Sequence, residues 1–379
     1  MERRYLDERD VDRIMKQIVL VGVQGTKRTI YFEKAAALEG AELEFVDWKD
    51  WDAWAERCER TNTCIKIDPF LYQSGNLEEM NHLVGEYHEK LMQMKAVGEQ
   101  HGSFYLNEPD AIWSVLDKAS CKDVLRQAGC AVTHSFGMAP HTAERLLDKM
   151  REEHIVSVFL KPVLGSGAAG VTAFRVQRST GRMVLYTCAA VKEIEEAERA
   201  EELREADRGV GTSHVRKKRI LVNTKHLMRM EDEAKIRQYL DILLPVGCLM
   251  EQWYPKEKLG DATYDLRAVY QFGQLDYVLA RLSKGPITNL QLNNHPLAYE
   301  ELGLPVAVRA DIEELCRAAA SCFPGLRSVG IDILLERGSR KPRIIEMNGQ
   351  GDLLYQDIYN KNVIYRRQVS CMMAPAYGR

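Results

Sequence analysis

Two groups of residues, far apart in the chain, combine side-chain types and spacings suited to phosphate and metal chemistry. The first lies in Ser157–Val176, S-V-F-L-K-P-V-L-G-S-G-A-A-G-V-T-A-F-R-V. Apolar Val158–Leu160 leads through Lys161-Pro162 into a loop with Gly165, Ser166, Gly167 and Gly170, and Val171–Val176 then alternates apolar and polar residues. That is the pattern of strand, glycine loop, strand. Backbone without Cβ atoms lets N–H groups approach an anion closely, and Lys161 sets a positive charge beside them. The letters G-x-G-x-x-G alone also serve dinucleotide folds and kinases. A dinucleotide site, however, needs a helix to open at the third glycine, and Val171–Val176 reads as a strand. A protein kinase adds His-Arg-Asp and Asp-Phe-Gly, and neither tripeptide occurs. The stretch therefore reads as a phosphate flap, with an ordinary hairpin turn as the plainer alternative.

The second group is near the C-terminus. Gly330-Ile-Asp332-Ile-Leu-Leu-Glu is a strand, Arg337–Pro342 a loop, and Arg343-Ile-Ile-Glu346-Met-Asn348-Gly the returning strand. Glu346 and Asn348 are two apart and share a face, and Asp332 on the partner strand is placed to face them. Three oxygen-bearing side chains on one face suit Mg²⁺, a hard cation that completes its shell with water and phosphate; a solvent-facing hairpin is the alternative. Between the groups, Leu249-Met-Glu251-Gln252-Trp253-Tyr254 has strand character. Tyr264–Ser283 reads as a hairpin turning at Phe272-Gly-Gln and carrying Arg267 and Arg281. A register change of one residue moves one of those arginines to the other face, so a shared face stays open.

The elements that must position these residues can be read in order. Residues 18 to 50 form a β-α-β unit, which predicts a parallel sheet at the start of the chain. Trp51 and Trp54 lie three apart on a following helix and read as core. A helix spans about 76 to 100. Lys118 precedes a helix with Ser120 and Asp123 as its N-cap pattern and Gly129 as C-cap. Cys130–Phe136 is expected as a short strand and Thr142–Glu153 as an amphipathic helix. From about 191 to 219 charged residues dominate, so the default is a solvated helix or a mobile insertion. The cluster Arg216-Lys-Lys-Arg within it is a weaker polyanion candidate.

Composition narrows the classes. The chain has 379 residues, 45% apolar and 28% charged, as expected of a globular protein of two or three subdomains. A net charge of −3 argues against nucleic acid or an anionic membrane as the main partner. No apolar run approaches the roughly 18 residues of a membrane span, and a cytoplasmic location is expected. The nine cysteines contain no C-x-x-C pair, so free thiols are expected rather than a disulfide or zinc framework.

Taken together, the order Lys118, Lys161 with its glycine loop, Glu251, Arg281, Asp332 and Glu346-x-Asn348 resembles the ATP-grasp superfamily over about residues 107 to 360. The most specific part is Gly-Ile-Asp-Ile-Leu-Leu followed by Ile-Ile-Glu-Met-Asn-Gly. The Glu-Met-Asn-Gly-Gln-Gly-Asp ending and Leu-Asn-Asn-His-Pro look like an uncharacterised bacterial branch. The resemblance implies an α/β (α+β) ATP-grasp fold with ATP clamped between two α+β subdomains. Its divisions are a Rossmann-like pre-domain at 1–106, a small subdomain with the flap and charged insertion at 107–250, and a C-terminal subdomain with the metal site at 251–379. It further implies that Lys118, Lys161 and Gly165 to Gly170 hold ATP phosphates and that Glu251, Gln252, Trp253 and Tyr254 line the adenine. Glu257 or Asp261 would hold the ribose. Asp332, Glu346 and Asn348 would bind Mg²⁺, two ions or Mn²⁺ in their place, and Arg281 with Arg267 would do the catalytic work.

The implied activity is an ATP-dependent carboxylate–amine ligase, acting on small-molecule or peptide substrates through an acyl phosphate and releasing ADP and phosphate. A small-molecule kinase on the same fold and a nucleotide-binding regulator without turnover are the alternatives. In the Tyr264–Pro296 region, Arg267, Asn289, Asn293, Asn294 and His295 are the expected acceptor-side wall, with an ordinary set of loop hydrogen bonders as the equal alternative. Substrate identity and oligomeric state, a homodimer included, stay open.

Overall fold

The computed structural model describes residues 17–57, 63–70, 75–164, 168–197, 215–350 and 354–374. Strands β1 (Ile18–Gly22), β2 (Leu43–Asp47), β3 (Cys64–Ile67) and β4 (Phe104–Leu106) form a parallel sheet in the order β2-β1-β3-β4. Helix α1 (Lys27–Glu39) joins β1 to β2, capped by Thr26 at its start and by left-handed Gly40 at its end. This is the β-α-β unit read from the sequence. Helix α2 (Trp51–Arg57) follows; Trp51 is fully buried and stacks on Trp54 with ring centroids 5.2 Å apart.

After α3 (Leu77–His101) and α4 (Pro109–Leu116), helix α5 (Lys118–Gln127) begins at Asp117. That corrects the expected cap: the Asp117 carboxylate accepts from the N–H groups of Ala119 and Ser120, and the Ser120 hydroxyl donates to it. The strand expected at Cys130–Phe136 lies further on, as β5 (Ser135–Met138). Helix α6 (Ala143–Glu152) then leads to the second sheet.

That sheet is antiparallel, in the order β5-β10-β6-β7-β8-β9, with β6 (Ser157–Pro162), β7 (Thr172–Val176), β8 (Met183–Ala197), β9 (Val215–Met230) and β10 (Cys248–Gln252). Helix α6 and α7 (Glu233–Leu243) cover one face through Leu146, Met150, Ile236, Tyr239, Leu240 and Leu243, which pack on Val158, Leu160, Phe174 and Leu185. Strands β8 and β9 also correct the reading of the charged insertion. Glu193 lies directly opposite Arg219 and Glu195 opposite Lys217, Arg219 Nε donates to Glu193 at 3.1 Å, and Lys218 pairs with Glu78 at 3.0 Å. Cross-strand charge pairing thus supports strand where composition alone suggested a solvated helix, and Lys218 and Arg219 of the basic cluster pair with acidic neighbours. Residues 198–214 lie outside the described residues.

The third sheet is also antiparallel, in the order β14-β13-β12-β15-β16. Its strands are β12 (Ala262–Gln271), β13 (Gln274–Ser283), β14 (His295–Ala298), β15 (Ser328–Leu335) and β16 (Pro342–Asn348), with the short β11 (Lys258–Leu259) paired to β12. Helix α8 (Val306–Ser321) packs on it. Helices α9 (Tyr355–Asn360) and α10 (Val363–Met373) return to the first sheet, where Tyr365 packs against Phe32. No helix among the described residues is long and apolar enough to cross a membrane.

Candidate active site

Two β-bulges aim the third sheet's chemistry. The β12–β13 hairpin turns at Phe272-Gly273, both with positive φ, as a two-residue turn requires. A straight ladder from that turn would set Arg281 opposite Tyr264. Between Val269 and Tyr270 the register shifts by one residue, with Asp276 as the extra residue on β13, and Arg281 comes to lie opposite Asp265. Gln271 and Arg367 hold Asp276 at 2.7 and 3.0 Å. The bulge therefore settles what the sequence left open: Arg281, Asp265 and Arg267 share one face. A second bulge, at Ile345 on β16, leaves Glu346 opposite Asp332 and Asn348 opposite Gly330.

The resulting arginine wall is continuous. Arg267 lies opposite Asp332 and bonds to both its oxygens. Arg281 Nη2 reaches Asp332 at 3.1 Å, while its Nε donates to Asp265 Oδ1 at 2.7 Å. Lys256 and Thr288 hold the other Asp265 oxygen. Burial pushes both carboxyls up, but the neighbouring cations outweigh it: Arg281 and Lys256 hold Asp265 down to about 2, and Arg267 and Arg281 keep Asp332 below its ordinary value.

The opposite, lysine wall comes from three elements. Glu251 on β10, 2% exposed, receives Lys161 of β6 at 2.8 Å, Lys122 of α5 at 2.7 Å and the Thr133 hydroxyl at 2.7 Å. Burial raises the Glu251 pKa, but the two ammoniums overcome it and bring it to about 2. Burial pulls Lys122 down to about 8, with Glu251 opposing. Lys118, at the start of α5, lies 3.8 Å from Glu346 and 3.4 Å from the Val163 carbonyl, which ties this wall to the third sheet.

Between the walls lies a cavity of about 80 Å³, partly open to solvent and lined by Lys161, Glu251, Lys256, Arg281, Asp332 and Glu346 among others. Ile287, from the loop after β13, lines the cavity with Phe159, Ala168 and Val171, and Leu292, Cys188 and Leu227 pack with them.

No family model and no curated protein matches the sequence. Solved structures do match. The ATP-grasp ligase PsnB, solved with its minimal precursor and also with Mg and ADP, gives a TM-score of 0.55 at 15% identity, covering 96% of this chain and 100% of its own. D-alanine–D-alanine ligase from Bacillus anthracis gives 0.55 at 10%, covering 96% and 97%. The chain has an ATP-grasp fold. A RiPP-associated ATP-grasp ligase from Chryseobacterium gregarium, solved with ADP and a leader and core peptide, gives 0.54 at 12%, covering 94% and 96%.

Within this ATP-grasp fold, Lys118, Lys161, Glu251, Arg267, Arg281, Asp332, Glu346 and Asn348 come together in and around one cleft. Gln252, Tyr254 and Asn289 also line the cavity. Trp253 instead packs beside Phe159 and Tyr186 under the Arg175 guanidinium. Glu257 stands apart from the lining, bonded to the Lys258 and Gly338 N–H groups and to Arg340. Asn294 holds its own loop through the Ile287 and Asn289 carbonyls. Gly165, Ser166 and Gly167 lie outside the described residues; Gly170, with φ +68, is set so close to Leu77 and Pro162 that a Cβ would sit 2.7 and 2.9 Å from their side chains.

Sequence reading missed Lys122, Thr133, Lys256, Asp265 and Thr288. Two signals were present: Lys118 and Lys122 lie one helical turn apart, and Asp265 stands two before Arg267 on a strand. Toward Mg²⁺ the fit is partial, because Arg267 and Arg281 hold both Asp332 oxygens. Asp332 and Glu346 are cross-strand partners, and the Asn348 side-chain nitrogen is buried without a hydrogen-bond partner among the described residues, so the amide turned over presents its oxygen instead.

Proposed function

We propose that this chain is an ATP-dependent carboxylate–amine ligase that forms an amide through an acyl phosphate and releases ADP and phosphate. The observation that carries the reading is the convergence of Lys161 with Glu251, and of Arg281 with Asp332 and Glu346, on opposite walls of one cavity. A carboxylate is a poor acyl donor until one of its oxygens becomes part of a leaving group. Transfer of the γ-phosphoryl group to that oxygen supplies the leaving group; the amine nitrogen then forms the C–N bond as the C–O bond to phosphate breaks. Such transfer depends on positioning and charge neutralisation more than on covalent participation by side chains.

In this reading Lys118, Lys122 and Lys161 bind phosphate oxygens, and Glu251 orients the two lysines it pairs. Gln252 and Tyr254 border the base. Arg281 and Arg267 meet the charge that develops on the transferred group. Asp332, Glu346 and Asn348 would hold Mg²⁺, which would supply neutralisation of phosphate charge. The parallel first sheet serves as a Rossmann-like pre-domain ahead of subdomains divided near residues 107 and 251. Both peptide and small-molecule carboxylates stay within this reading, since the similar structures include enzymes named for each.

The test is product analysis with Mg·ATP, a panel of carboxylic acids and acidic peptides, and hydroxylamine as a general amine. The expected products are ADP, phosphate and a hydroxamate, formed only with both co-substrates present. ADP with a stable phosphorylated product would instead indicate a kinase, and ATP binding without turnover a regulatory module.

A further inference from the structure

The Glu-Met-Asn-Gly-Gln stretch continues past Asn348 into Gly349 and Gln350, to which the chemistry above gives no task. Both are held from outside their own sheet. The β15–β16 ladder ends with Gly330 opposite Asn348. Just beyond it the Asn107 side chain, 3% exposed, donates to the Gly349 and Ser328 carbonyls, each at 2.6 Å, and accepts the Ser328 N–H at 2.7 Å. Both amide protons and the amide oxygen are engaged, which fixes the orientation of the group. Asn107 thus bridges β15 and β16 past their last rung, at the end where Asn348 stands.

Two further contacts fix the same stretch. Gly349 is pressed against α4: a Cβ there would lie 3.0 Å from the Val115 side chain and 3.2 Å from the Ile112 Cα, so the backbone has no room to shift toward the helix. Gln350 donates to the Ile67 carbonyl at the end of β3 at 2.8 Å and accepts from the Tyr87 hydroxyl of α3 at 2.9 Å. These partners all belong to the first sheet or to the segment that leads out of it. Helix α4 is followed by α5, whose first residue, Lys118, lies 3.8 Å from Glu346. One bracket therefore sets both the stretch after Asn348 and the lysine beside Glu346.

We propose that Asn107 and Gln350 are positioning residues for Asn348, holding the end of β16 so that the Asn348 side chain stays in register with Asp332 and Glu346. The first sheet is then a working part of the site and not a separable module. The inference rests on the reading of Asp332, Glu346 and Asn348 as the place for Mg²⁺. A side-chain amide at a strand end serves as a ligand only as well as its backbone is held, and loss of the groups that orient a ligand typically costs about 10–100-fold in metal affinity. A contact that served cohesion alone would change stability and leave the Mg²⁺ dependence as it was.

The test is calorimetric titration with ADP, once with saturating Mg²⁺ and once in EDTA, of the wild type, Asn107→Ala, Gln350→Met and Tyr87→Phe, with denaturant unfolding of each. The wild type should bind ADP more tightly with Mg²⁺ than without. Asn107→Ala and Gln350→Met should cut that gain about tenfold or more while metal-free ADP affinity stays within about twofold of wild type. Tyr87→Phe, which removes a single contact to Gln350, should cut it less. If Asn107→Ala does not fold, Gln350→Met and Tyr87→Phe decide the matter. The proposal is overturned if the folded variants keep the wild-type gain whatever their stability, if affinity falls equally with and without Mg²⁺, or if the wild type shows no gain. These outcomes leave the ligase reading to the product analysis, whereas a wild type that binds no ADP under either condition would overturn both.

Discussion

On the lysine wall, elements distant in sequence converge on one carboxylate: α5 supplies Lys122, β6 supplies Lys161, and both depend on Glu251 of β10. On the arginine wall, most of the charged residues stand at facing positions of adjacent strands, Arg281 opposite Asp265, Arg267 opposite Asp332, and Asp332 opposite Glu346. The first arrangement fails if its central anion is lost, because two buried ammoniums then lose the counter-charge they share. The second is braced by the sheet, so that removing one side chain leaves the backbone positions of the others in place. The first wall therefore depends on one central anion, and the second is suited to holding a reacting group in fixed geometry.

The largest expected effect follows from that difference. Glu251→Gln should cost about 3–5 kcal/mol of stability, since it strands a buried charge pair, and denaturant unfolding would measure it. Arg281→Ala should leave the sheet in place yet slow turnover by about 10²–10³, read as hydroxamate formation; a loss of stability as large as that of Glu251→Gln would erase the contrast between the walls. Asp332→Asn should also abolish turnover, and because Asp332 pairs with two arginines it should lower stability too, which a solvent-facing hairpin would not do. Lys161→Ala should weaken ATP binding by about 1.5–3 kcal/mol in calorimetry, with Lys122 still compensating Glu251.

Acid stability probes the Glu251 carboxylate directly. The Glu251 pKa is depressed from 4.5 to about 2 in the folded state, so its contribution is fully present above the unfolded value and is lost as pH falls from about 4.5 to 2. Thermal unfolding across that window should show a decline that is shallower in Glu251→Gln. The smallest effect belongs outside the cleft: Arg219→Ala, at an exposed cross-strand pair, should cost about 0.2–1 kcal/mol.

What was legible in the sequence follows the range of the interactions involved. The β-α-β start, the strands around Lys161 and the Asp332, Glu346, Asn348 hairpin are set by local periodicity, and each appears where it was read. The shared face of Arg267 and Arg281 was not legible, because it depends on Asp276 being taken up as a bulge and held by Arg367 from α10. Lys256 and Lys122 read as ordinary charged residues because the partners that bury them, Asp265 and Glu251, are brought up only by tertiary packing. The strands of the charged insertion were hidden for a related reason: a run of like charges looks unfavourable until the complementary run is laid beside it.

The most direct test of the ligase chemistry uses a carboxylate accepted in the hydroxylamine assay, labelled with ¹⁸O in both oxygens. If the carboxylate is activated as an acyl phosphate, one labelled oxygen leaves with the phosphoryl group, and mass spectrometry of the released phosphate finds ¹⁸O in step with hydroxamate formed. Unlabelled phosphate, or ¹⁸O in AMP, would contradict that route and the roles assigned to the two walls.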